Sequence, residues 1–156
     1  QDRVKALHDY LRKANEHQPL LSRAMLLWAS TTAPALLDRE AQQAIVDALV
    51  RAQQEDGGWS TASLGSWKRA DGSALDTRTD GYATGLVTFV LQSAADPRTL
   101  APVKRGLAWL VSHQDPANGT WFAASLNKQR DPASDAGKFM SDAATAYAVL
   151  ALTKAQ

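Results

Sequence analysis

Gln53-Gln54-Glu55-Asp56-Gly57-Gly58-Trp59 returns later in the chain, edited, as Gln114-Asp115-Pro116-Ala117-Asn118-Gly119-Thr120-Trp121. The spacing is nearly constant: 114 − 53 = 61 for the glutamines, 121 − 59 = 62 for the tryptophans, and 145 − 84 = 61 for Thr84 and Thr145 downstream. Recurrence at a fixed interval of this length marks a fold made of stacked copies of one supersecondary unit. Each copy lies between two segments of helical periodicity, so the unit is expected to be helical.

Working outward, six helical segments are expected. Val4 to Ala14 carries Leu7, Tyr10, Leu11 and Ala14 on one stripe, and Leu20 to Ser30 is almost wholly apolar. Asp38 reads as the N-cap of a segment running to Gln53, with Ile45, Val46, Leu49 and Val50 inward. Gly81 to Ala95 is again apolar. Asp96-Pro97 opens a helix with proline in the first turn, where its missing N–H costs nothing. The last segment runs from Ser141 to Lys154. Amphipathic and nearly all-apolar helices alternate, which suits an outer and an inner layer. The expected architecture is all-α, a single domain over 1–156, in three helical hairpins at about 1–30, 38–95 and 96–156.

Bulk composition narrows the function classes. Net charge is +1 from 17 basic and 16 acidic residues, which argues against a nucleic-acid partner held by bulk charge. No apolar run approaches the roughly 18 residues that span a bilayer. With no cysteine, thiol catalysis and thiolate metal sites are excluded. The chain starts with Gln1 rather than methionine and is read as processed, or as a piece of something longer.

The recurring element has a structural use. Gly57 and Gly119 allow a turn of positive φ after a helix. Gln53 and Gln114 can reach free carbonyls or the next helix's N–H groups. Trp59 and Trp121 are expected to stack over the glutamine side chains and bury a large ring area, worth about 2–3 kcal/mol per copy.

These residues carry a resemblance. The Gln-x-x-x-Gly-x-Trp element, followed by Thr145-Ala146-Tyr147-Ala148-Val149-Leu150-Ala151-Leu152, resembles the repeat of squalene–hopene cyclases, oxidosqualene cyclases and protein prenyltransferase β subunits. The likeness spans about two thirds of the chain, from Asp38 onward. It implies an α/α toroid of which three hairpins make about half a barrel. The apolar helices would then require a missing half-toroid, a second chain or self-association to cover them.

The resemblance also says which chemistry is missing. In cyclases of this kind an Asp-x-Asp-Asp-Thr-Ala stretch supplies the proton that starts the reaction. The matching stretches here are Ser141-Asp142-Ala143-Ala144-Thr145-Ala146 and Asp80-Gly81-Tyr82-Ala83-Thr84-Gly85, so Ala143 and Tyr82 stand where the acid would be. The zinc site of prenyltransferase β subunits, built of Asp, Cys and His, has no counterpart in this segment, and no metal or other cofactor is expected. Asp76 and Asp80, four residues apart, read in two ways. They could be a displaced acid pair, or Asp80 could cap the next helix while Asp76 pairs with Arg78.

Two long connections, Ser60 to Thr79 and Phe122 to Met140, echo each other: Ala62-Ser63-Leu64 matches Ala124-Ser125-Leu126, with basic residues following in both. Loops this long are often functional. Lys68, Arg69, Lys128 and Arg130 could hold a carboxylate, phosphate or diphosphate. Alternatively they pair with Asp71, Asp76, Asp131 and Asp135. Trp67, with no counterpart in the second loop, and Tyr82 complete the expected ligand-binding set. Three functions follow. One is a squalene-cyclase-like or prenyltransferase-like domain that binds an isoprenoid-like or anionic-headed ligand, or a partner domain, without chemistry of its own. Another is a terpenoid cyclase whose acid lies in an absent half. The third is a pectate-lyase-like α/α toroid using Arg78 with Asp76 and Asp80.

Overall fold

The computed structural model describes residues 2–155. Among them there are six α-helices and no strand: α1 (Asp2–Asn15), α2 (Leu20–Ser30), α3 (Arg39–Arg51), α4 (Gly81–Ala94), α5 (Leu100–Ser112) and α6 (Asp135–Lys154). Local chemistry sets their starts. Asp38 accepts the Ala41 N–H at 2.8 Å at the head of α3, and Asp80 does the same for Ala83 at the head of α4. Asp96 accepts from the Arg98 N–H, opening a single 3₁₀ turn (Pro97–Thr99) that leads into α5.

The molecule is organised around α4. From Gly81 to Leu91 every residue is buried except half-buried Tyr82. It packs most extensively against α6, then α5, then α2, while α3 lies against α2. Two apolar clusters result. Ala24, Leu27, Ile45, Leu49, Trp59, Leu86 and Val90 fill the side toward α2 and α3. Phe89, Trp109, Leu110, Trp121, Ala144, Ala148 and Ala151 fill the side toward α5 and α6. Edge-to-face pairs join the row: Trp28 to Phe89 with centroids 5.2 Å apart, and Tyr82 to Tyr147 at 5.4 Å.

Helix α6 can approach α4 this closely because Gly85 has no side chain. A Cβ there would stand 2.6 Å from the Ala148 backbone nitrogen. We expect Gly85→Ala to destabilise the fold by about 2 kcal/mol, overpacking outweighing the roughly 1 kcal/mol alanine gains in a helix interior. Urea denaturation measures it, and an unchanged or raised midpoint contradicts this packing.

The two Gln-to-Trp segments make matching sets of bonds. Gln53 Nε2 donates to Gly57 O at 2.7 Å and Gln114 Nε2 to Gly119 O at 2.8 Å. Gly57 and Gly119 take φ of +93° and +74°. The Trp59 N–H donates to Thr84 Oγ1 and the Trp121 N–H to Thr145 Oγ1. Each indole Nε1 donates back to the preceding helix, Trp59 to Leu49 O and Trp121 to Leu110 O, both at 2.8 Å. Gln53 also reaches forward, donating to Pro102 O in α5 at 2.8 Å.

Three expectations change. α6 begins at Asp135 rather than Ser141, because Ser134 caps it and Gly137 lets its first turn lie on the backbone of Asp131 and Pro132. This shortens the second long connection to 122–134. α2 and α6, read as buried on most sides, each keep an exposed face, since only α4 is enclosed on both flanks. On α1, Leu7 and Tyr10 of the apolar stripe are exposed, because that helix touches only α2 and the 3₁₀ turn Pro34–Leu36 to any extent.

Candidate functional site

Where α4 and α6 start, the segment after Trp121 crosses between them and leaves a cleft of about 590 Å³. Its walls are mostly apolar: Leu21 from α2, Tyr82 from α4, Leu126 from the connection, and Phe139, Met140 and Ala143 from α6. A second, more polar hollow of about 420 Å³ adjoins it, lined by Arg69, Asp76, Arg78, Phe122 and Ser141 among others. Ala123, Ala124, Ser125, Met140 and Arg130 belong to both. Arg130 is therefore the cation at the junction. It is half-buried, and among the described residues it has no ion pair and no hydrogen-bonded partner. An Arg guanidinium carries its charge throughout the accessible pH range, so an anion arriving at this junction meets an uncommitted fork of donors.

Arg69 is used differently. It is buried, and its guanidinium donates twice to Ser125 O, at 3.1 and 2.9 Å, and once to Ala74 O at 2.5 Å. Nearby, Ala70 N–H donates to Asn127 O and Gln129 N–H to Asp71 Oδ2, both at 2.9 Å. Hydrogen bonds from the Ser73 hydroxyl and N–H and from Gln129 hold the Asp71 carboxyl down to about 2. Arg69 thus ties the two long connections together and shapes the wall at Ser125.

Of the other basic residues, Lys68 and Lys128 are exposed and line neither hollow. Trp67 lies beside Gly65, and its Nε1 donates to Thr61 O at 3.2 Å. No ion pair joins Lys68, Arg69, Lys128 or Arg130 to Asp71, Asp76, Asp131 or Asp135 among the described residues. Backbone carbonyls take the place of carboxylates for Arg69.

The two carboxylates are held apart by different partners. Asp76 binds Arg78 in a bidentate pair, Nε to Oδ1 at 3.0 Å and Nη2 to Oδ2 at 2.6 Å, which holds its carboxyl below the usual range. Arg78 also lies 5.3 Å from the Phe122 ring centroid. Asp80 is fully buried. Its oxygens accept from the Thr61 N–H at 2.6 Å, the Thr61 hydroxyl at 2.8 Å and the Ala83 N–H. Burial pushes the carboxyl up to about 6, against the downward pull of those donors. Asp80 lines neither hollow, although its partner Thr61 lines the cleft.

Phe139 and Met140 are the lining residues that sequence reading missed, because they fall in what reads as a loop. The serine cap at Ser134, three residues before Gly137, was the available signal. Among the described residues no three His, Asp or Glu side chains converge to hold a metal, and no helix is long and apolar enough to cross a membrane. Comparisons with protein-family models, curated proteins and solved structures found no match. The site itself is a mostly apolar hollow beside a more polar one, with Arg130 lining both.

Proposed function

We propose that this chain is a squalene-cyclase-like or prenyltransferase-like repeat domain of α/α-toroid type that binds an elongated, isoprenoid-like molecule through an anionic end group. The observation that carries this is the pairing of the apolar cleft with unpartnered Arg130 at its polar end. The apolar body would lie along Tyr82, Phe139, Met140 and Ala143, where each buried methylene contributes about 0.8 kcal/mol. The head group would meet Arg130.

Binding without chemistry is favoured over cyclisation by what lines the cleft. Tyr82 and Ala143, the positions matching the cyclase acid, both face the hollow. Neither can protonate an alkene. Asp80 is raised toward a protonated form, but its oxygens are occupied by Thr61 and Ala83. A general acid needs an oxygen within reach of the substrate as well as a suitable pKa.

The test compares farnesyl diphosphate with farnesol by isothermal titration calorimetry. The diphosphate is expected to bind the more tightly, and Arg130→Ala to weaken it by about tenfold or more while leaving farnesol unchanged, since a charge-assisted contact contributes about 1.5–3 kcal/mol. Ala143→Trp should block both. If neither molecule binds the unmodified chain, or Arg130→Ala leaves the preference intact, the reading is wrong.

A further inference from the structure

We infer that this chain associates head to tail with a second copy of itself, the α1 end of one docking on the exposed face of α6 of the other. This contact does not depend on what the cleft binds.

Helix α4 shows how an inner helix is covered. Its residues Gly85, Thr88, Phe89 and Gln92 receive the helices that follow. Gly85 abuts Ala148, Thr88 abuts Gly106 of α5, Phe89 joins the cluster with Ala144, Ala148 and Ala151, and Gln92 Nε2 donates to Ala151 O at 3.2 Å. Moving 61 residues along the chain from these positions gives Ala146, Val149, Leu150 and Thr153 on α6. All four are exposed, Val149 at 47% and Leu150 at 41%. So α6 presents, position for position, the face that α4 uses to receive its neighbours. Among the described residues no helix lies on α6 as α3 lies on α2 and α5 on α4.

The complementary piece is at the opposite end. α1 is amphipathic, but its stripe of Val4, Leu7 and Tyr10 is turned to solvent, with Leu7 at 54% and Tyr10 at 65% exposure. It is an outer-type helix that touches α2 and the 3₁₀ turn Pro34–Leu36 but leaves this stripe uncovered. Among the described residues α6 is left without a covering amphipathic helix, and α1 offers one. Joining them buries both apolar surfaces by extending an interface the fold already contains. Because the two surfaces differ, the contact is heterologous, and it forms a ring if the rotation closes or a chain of copies if it does not.

The experiment is sedimentation velocity on the full chain over a range of micromolar concentrations, with Leu7→Glu, Leu150→Glu and their mixture. Both substitutions are on exposed residues, and circular dichroism checks that helicity and melting are retained. The unmodified chain should sediment as a dimer or larger species, and each variant should associate at least about tenfold more weakly, the effect of a charge set into an apolar contact. Mixing the two variants should restore a complex, since Leu7→Glu keeps its α6 face and Leu150→Glu keeps its α1 stripe. A monomer at every concentration overturns the proposal. So does association lost in Leu150→Glu but untouched in Leu7→Glu, which would mean α6 meets α6.

Discussion

Replacing Trp59 by alanine is expected to cost about 4 kcal/mol and to leave the protein largely unfolded if its total stability is near the low end for a domain this size. Trp59 is the largest fully buried side chain. Its ring edge abuts Gly106 of α5, and its Nε1–H is satisfied by Leu49 O of α3. Alanine therefore opens a cavity between three helices and leaves a buried carbonyl without its donor. Trp59→Phe separates the two losses: it keeps most of the ring but not the hydrogen bond, and should cost about 1–2 kcal/mol. Thermal unfolding followed by circular dichroism measures both. A loss under about 1 kcal/mol for the alanine variant would mean that the indole is not the keystone of the α3–α4–α5 junction.

The second large effect is at Asp80. Removing its carboxyl in Asp80→Ala takes away the α4 cap, worth about 1 kcal/mol, and strands the buried Thr61 N–H, costing about 1–3 kcal/mol more. A total near 3 kcal/mol is expected. The same burial gives a pH signature. Burial lifts the folded-state pKa from 3.8 to about 6, so between these values the native protein binds a proton the unfolded chain has released. Asp80 therefore contributes most below about pH 4, and that contribution is lost as pH rises through 6, by up to about 3 kcal/mol at 1.36 kcal/mol per unit. Denaturation midpoints of the parent chain should fall over this window relative to Asp80→Asn, which cannot titrate. Parallel pH profiles would show that Asp80 is ionised throughout, held by its three donors.

The helices were legible in the sequence wherever burial imposed a period or a cap marked a start. Leu20 to Ser30 and the cap at Asp38 are found where the residues place them. So are the positive-φ turns at Gly57 and Gly119, because only glycine takes that conformation without strain. The start of α6 was not legible. Its first turn, Asp135-Ala136-Gly137-Lys138, carries no apolar stripe, and it is held by a backbone approach that only coordinates reveal.

The site was half legible. Arg69 and Arg130 read alike in sequence, as basic residues in corresponding loops. The fold buries one against carbonyls and leaves the other free. That difference depends on which of the two reaches the carbonyls of Ser125 and Ala74, and nothing in composition encodes it. Trp67, a lone loop indole in sequence, lies beside Gly65 in the fold, with its Nε1 donating to Thr61 O.

The bonds from Arg69 to Ser125, from Ala70 to Asn127 and from Gln129 to Asp71 run between the two long connections rather than from either one to a helix. The two connections are thus one stitched plate, not a pair of independent flaps. Loosening one stitch would free both connections at once, and with them the wall they share at Ser125.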